Sequence, residues 1–239
     1  MHQAPAPIEC IILLHGLGRT RFSMSRLGNT LEKQGYRVVN AGYCSQCRRI
    51  EDLADTVIPK SLQQCIDYGA DSIHFVTHSM GGLLLRYYLS LHRIEKLGHT
   101  VMLAPPNHGS EVADKLRNNV LYRIINGPAG LQLGTDANSL PAQLGTADFS
   151  LGIIIGNRHT IFDRYFASLL PKPNDGKVSA ASARLQGMQD FLVTDANHTT
   201  IMNDPTVIEH IRCFLKKGAF SHASEFENNE SPGYFRELP

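Results

Sequence analysis

Two hydrophobic rhythms alternate along the chain. Short continuous apolar runs, of the kind carried by strands buried on both faces, are separated by stretches whose apolar positions recur every third or fourth residue. The first run is "IECIILLH" at 8–15, followed by the helical stretch "RFSMSRLGNTLEKQG" at 21–35 and the strand "YRVVNAGY" at 36–43. From Ile50 an i, i+3, i+4, i+7 stripe passes through Leu53, Ala54, Val57, Ile58, Leu62, Cys65 and Ile66, which predicts a helix kinked at Pro59. "SIHFVTH" at 72–78 is the next strand, and "MGGLLLRYYLSLHR" at 80–93 is a helix that starts directly after Ser79. Further strands are expected at 100–106, 150–157 and 188–194, with a last helix at 205–218 that has proline in its first turn. This alternation predicts an α/β fold, a mostly parallel sheet with helices on both faces.

Two segments break the rhythm. Residues 107–149 join two strands and are longer than an ordinary crossover. They read as an insertion beside the site, with a helix at 110–126. Val120, Leu121, Ile124, Ile125, Leu131 and Leu133 within it either wall a pocket or pack on the core. Residues 219–239 are polar without helical period and read as a loosely ordered tail, leaving 1–218 as one domain.

Composition narrows the function classes. A net charge of +1 gives no electrostatic footprint for nucleic acid or an anionic membrane. No apolar run approaches the ~18–20 residues that span a bilayer. "MHQAPAPIEC" lacks a basic leader region, so a cytoplasmic chain is expected. The five cysteines, an odd count, do not suggest a disulfide framework. Cys44 and Cys47 form a C-x-x-C that reads as two loop cysteines, and Cys65 as a core residue.

The candidate chemistry starts at "HFVTHSMGG", 74–82. A strand, a serine and a helix in direct succession match a nucleophile elbow, in which a sharp turn needs small neighbours. Gly81 supplies one; Thr77 stands where the other small residue is expected. A serine hydroxyl needs a base, and the base needs an orienting acid. His198, in "DANHTTIM" after the last strand, sits where open α/β sheets place their sites. Asp175, in the Asp-Gly turn of "PNDGKV", is the preferred acid; Asp163 competes, and Asp195 lies on the same loop as the base. Backbone N–H donors for an oxyanion are assigned to Met80, at a helix N-terminus, and Leu17, in the "HGLG" loop ending the first strand. His15 and Gly16 shape that loop. His78 packs or hydrogen-bonds beneath the turn, and His108 is a pocket-lining candidate. No spacing among His15, His78, His108 and His198 supports a zinc site, and the chemistry calls for no cofactor.

Together "LLHGLGR", "FVTHSMGGLLLR", "LAPPNHGS", "NDGKV" and "NHTTIM", in this order, resemble the α/β-hydrolase superfamily, in its small bacterial lipase and esterase-like branch. The resemblance implies a triad of Ser79, Asp175 and His198, an oxyanion hole from Leu17 and Met80, and a small-molecule or lipid-like ester substrate. Acyl transfer, or thioester or amide cleavage, would use the same residues. A non-catalytic binding protein on the same fold is the alternative of a different class.

Overall fold

The computed structural model describes residues 6–161 and 163–222. Among these, β1 (Glu9–Leu14), β2 (Arg37–Asn40), β3 (Ser72–His78), β4 (Leu97–Leu103), β5 (Leu151–Arg158) and β6 (Asp190–Asn197) form one six-stranded sheet. Every pairing is parallel, in the order β2-β1-β3-β4-β5-β6. Parallel strands need crossovers, and right-handed crossovers put helices on a face set by the direction of travel. The chain first steps outward from β1 to β2 through α1 (Ser25–Lys33), then back across β1 to β3 through α2 (Ile50–Asp67). That reversal sends α1 to one face and α2 with α3 (Met80–Leu91) to the other. α2 packs against α3, and α9 (Pro205–Lys217) packs on β4 beside α1's face. The reversal also opens a crevice between the carboxyl ends of β1 and β3, where such sheets bind ligands.

The central strands carry the core. Cys10 to Leu14 on β1 and Phe75 and Val76 on β3 are fully buried. Each large apolar side chain buried this way contributes about 1.5–3 kcal/mol. Three strands differ in extent from expectation. β2 is shorter than 36–43, although one ladder bond continues past it, from Ala41 N–H to Leu13 C=O. β4 spans Leu97–Leu103 instead of 100–106, because Pro105 and Pro106 have no N–H to give a ladder and its half-buried start is not apolar. β6 runs to Asn197, its outer half mixed in burial as befits an edge strand.

α2 is a single helix that continues through Pro59. Pro59 and Asp55, whose carbonyl loses its partner there, are both exposed, so water can take that carbonyl. The expected helix at 110–126 is two helices, α4 (Glu111–Leu116) and α5 (Val120–Gly130). Asn119 divides them: its side chain accepts from Leu121 and Tyr122 N–H and starts α5 as an N-cap. α6 (Leu140–Gln143) completes the insertion, and α7 (Arg164–Ser168) and α8 (Ala180–Ala183) lie between β5 and β6. Arg86 pins this region from α3. It is buried, and it donates to the Asn107 carbonyl and side-chain oxygen and to Gly145 C=O, while Asn107 donates to Ala183 C=O. Burial without a carboxylate partner pulls its guanidinium down to about 10.

The cysteines correct the sequence reading. Cys10 of β1 is bonded to Cys65 of α2, and Cys44 to Cys47; Cys213 is free. The first pair is 55 residues apart in sequence, so only the packing of α2 on the sheet brings it together. Disulfides persist mainly in oxidising compartments, which counts against the cytoplasmic expectation. Among the described residues no helix is long and apolar enough to cross a membrane. The start of the expected tail is packed: Phe220 is buried and its N–H is donated to Asp190. The remainder of that tail, 223–239, lies outside the described residues.

Candidate active site

β3 ends in a strained turn. Ser79 has φ 52° and ψ −124°, one of two non-glycine residues with positive φ among the described residues. Such a conformation costs on the order of 1–3 kcal/mol and persists only where its surroundings fix it. The glycines provide that fit. A Cβ on Gly81 would lie 2.6 Å from Leu14 O and 2.9 Å from His15 O; one on Gly16 would lie 2.9 Å from His78 Nδ1. The elbow and the loop after β1 therefore meet backbone to backbone. Thr77 packs beside Gly82 of α3, where a Cβ would stand 3.1 Å from Met102 Sδ and 3.3 Å from Pro105 Cβ and Thr77 Oγ1.

The turn presents Ser79 Oγ 3.2 Å from His198 Nε2, and His198 Nδ1 lies 2.7 Å from Asp175 Oδ2. A carboxylate only accepts, so Nδ1 carries the proton and Nε2 is free to accept from the serine hydroxyl. Asp175 is fully buried and fixed: its Oδ1 accepts from Lys177 N–H (3.0 Å) and Val178 N–H (2.8 Å). Its backbone carbonyl also accepts from His198 N–H at 3.2 Å. The competing acids are engaged elsewhere. Asp163 accepts from Thr160 Oγ1, and Asp195 pairs with Arg158 on the surface.

His78 donates from Nε2 to the His198 carbonyl at 3.0 Å, holding the backbone of that residue. Burial, with the neighbouring His198 next in effect, keeps its ring well below the usual histidine range and hence neutral. His15 donates from Nδ1 to Gly16 C=O at 3.0 Å and stacks on Tyr43, ring centroids 3.9 Å apart. Burial lowers its pKa as well. Gly16 to Arg19 form a turn closed by Arg19 N–H to Gly16 C=O (3.3 Å), with Gly18 at φ +65°. Leu17 N–H takes no part in that closure. Met80 N–H opens α3 and has no intrahelical acceptor. Arg19 reaches across to Thr199 C=O at 2.6 Å and so ties this loop to the one bearing His198. Among the described residues no cluster of three or more metal-ligating side chains occurs.

A cavity of about 340 Å³ opens on Ser79 and His198. One wall is apolar, from Leu17, Val112, Ala113, Leu116, Tyr122, Leu133 and Phe166; Arg19, Lys177 and Asp163 bring charge to its rim. No protein-family model matches the sequence, and no curated protein does. Solved structures do match. The mature lipase BlEst2 of Bacillus licheniformis is 19% identical over 91% of this chain and 94% of its own, with a TM-score of 0.63. Phospholipase PlaB of Legionella pneumophila is 22% identical, TM-score 0.60, over 74% of this chain and 45% of its own. The metagenomic carboxyl esterase MGS0156 is 16% identical, TM-score 0.60, over 82% and 68%.

This chain has the α/β-hydrolase fold.

On that fold, the structure brings Ser79, Asp175 and His198 together with Leu17, Met80, His15, Gly16, His78 and Gly81, and it leaves His108 outside. His108 is exposed; Pro106 and Ser110 of the same loop line the cavity instead. The insertion also departs from expectation. Val120, Leu121, Ile124, Ile125 and Leu131 are 42–73% exposed and belong neither to the wall of the Ser79 cavity nor to the core; Val120, Ile124 and Leu131 line a separate surface groove. Only Leu133 of that group lines the cavity, joined by α4 and by Tyr122 and Asn126 of α5. Sequence reasoning missed Arg19, Tyr43 and Ser45. Tyr43 precedes, and Ser45 lies within, the C-x-x-C that drew attention only as cysteines.

Proposed function

We propose that the protein is a serine carboxylester hydrolase that works through an acyl-enzyme. The observation that carries this reading is the continuous hydrogen-bonded line from Asp175 through His198 to Ser79, at the mouth of a cavity with an apolar wall. His198 Nε2 takes the proton of Ser79 Oγ as that oxygen attacks the ester carbonyl. Negative charge on the carbonyl oxygen is met by Leu17 and Met80 N–H, the second at the positive end of α3. The tetrahedral adduct collapses and the alcohol leaves with the proton from Nε2. Water then gives its proton to the same nitrogen and attacks the acyl carbonyl; as the acid leaves, that proton passes from Nε2 to Ser79 Oγ and the free serine is restored. Asp175 keeps Nδ1 protonated and stabilises the imidazolium in both halves. No cofactor enters this sequence.

The lipase and esterase names of the structural relatives agree with an ester substrate. The apolar wall from α4 and α5 suits an acyl chain, and the reading treats residues 1–218 as one catalytic domain with 107–149 contributing that wall. A fluorophosphonate probe with mapping of the adduct tests it, alongside turnover of short and medium acyl esters. The expected result is one adduct, on Ser79, and hydrolysis of the esters. An unlabelled Ser79 together with no turnover overturns the reading in favour of a binding protein.

A further inference from the structure

The segment Tyr43–Cys47 follows β2 and touches no reacting group, yet it grips the loop that carries Leu17. Tyr43 lies flat against His15, the rings 11° from parallel, and its hydroxyl donates to His15 C=O. Ser45 is 2% exposed, and its Oγ accepts the N–H of Gly18 at 3.0 Å. These two contacts bracket one peptide unit. Leu17 N–H belongs to the Gly16–Leu17 peptide; the peptide before it is held through His15 C=O and the peptide after it through Gly18 N–H. The carbonyl of the bracketed peptide is itself tied down, accepting from Arg19 N–H and from His15 Nδ1. An oxyanion donor is effective because its direction is fixed before charge develops. A buried hydroxyl is retained at a cost unless it is paired, and here its acceptor role falls on that loop.

The same turn is closed twice, by Cys47 N–H to Cys44 C=O (3.2 Å) and by the Cys44–Cys47 bond. Its outer side supports α5. Gln46 donates to Ile125 C=O, and a Cβ on Gly127 would lie 1.9 Å from Gln46 O, so only glycine admits that approach.

We propose that Ser45, presented by this disulfide-closed turn, is a positioning residue for the oxyanion hole, setting the direction of Leu17 N–H. The proposal rests on the serine hydrolase reading above. Ser45→Ala is expected to lower kcat by about 10–100-fold with KM within about twofold, a part of what losing a whole donor costs. Affinity for an alkyl boronic acid, whose adduct on Ser79 places a negative oxygen in the hole, should fall by the same factor as kcat/KM. The Cys44→Ser/Cys47→Ser double variant retains Ser45 but opens the turn, and should lose a smaller factor in kcat. Boronate affinity and KM do not depend on how much of the protein is folded, so they decide even if the variants melt earlier. Wild-type kcat in Ser45→Ala, or a loss confined to KM, overturns the proposal. Denatured wild type should titrate one thiol, that of Cys213; five would overturn the closed turn. Failure of the hydrolase reading itself would look different: the wild-type protein would not take the fluorophosphonate.

Discussion

β3 carries two buried histidines on one face, His74 and His78, and they have different fates. His74, near the amino end of the strand, lies 3.3 Å from Glu9 through Nε2 and accepts the N–H of His99 at Nδ1 (2.9 Å). His78, one residue before Ser79, donates to the carbonyl of His198. Burial is the first cause of a lowered pKa for both. Residue type, burial and the direction of the pKa shift are thus shared, and position along a parallel strand separates them. The loops that follow β1, β3 and β6 converge at the carboxyl edge, so His78 meets a loop there while His74 meets β1, β4 and the edge of Tyr36 just ahead of β2.

The comparison can be broken most severely at the carboxyl edge. Ser79→Ala should lower ester turnover by at least about 10³-fold while leaving the fold intact, as read by kcat and circular dichroism. Asp175→Asn should cost about 10²–10⁴-fold in kcat, because an amide does not hold Nδ1–H of His198 in the same tautomer. Asp195→Asn, on the exposed Arg158 pair, should leave kcat within a factor of about two.

Asparagine at the two β3 histidines sharpens the contrast. His78→Asn frees the His198 carbonyl and should lower kcat by about tenfold, roughly one hydrogen bond's worth of ordering. His74→Asn should leave kcat/KM unchanged and lower unfolding stability by about 1–3 kcal/mol, measured by urea titration. Equal effects on kcat at both sites would end the distinction.

The smallest effect is in pH. A histidine lowered below 6.5 in the fold binds fewer protons there than in the unfolded chain, so stability is retained above pH 6.5 and falls as pH drops beneath it. Each asparagine variant should remove up to about 1.4 kcal/mol per pH unit from that slope. Urea midpoints between pH 5 and 7 measure it; an unchanged slope in both variants would place the titration elsewhere.

Much of the fold is legible in the sequence because parallel strands buried on both faces must be apolar throughout. β1 and β3 stand out as "IECIILLH" and "SIHFVTH" for that reason. Edge strands β2 and β6 are only partly enclosed, and their ends blur accordingly. Of the candidate site, Ser79, Asp175 and His198 could be picked out because each sits next to a local signal: a strand-to-helix turn, an Asp-Gly dipeptide and a loop ahead of a proline-started helix. The apolar residues of α5 carry no such signal. A helical stripe tells that one face is apolar but not what lies opposite it, and most of that face meets solvent.

The sequence by itself determined the alternation of strands and helices, the elbow glycines and the order of serine, acid and histidine, since these follow from local backbone geometry and burial periodicity. The tertiary structure alone decided that Cys10 bonds to Cys65 and that Ser45 grips Gly18. Each depends on the distance between segments separated by a crossover, and that distance exists only once the sheet has assembled.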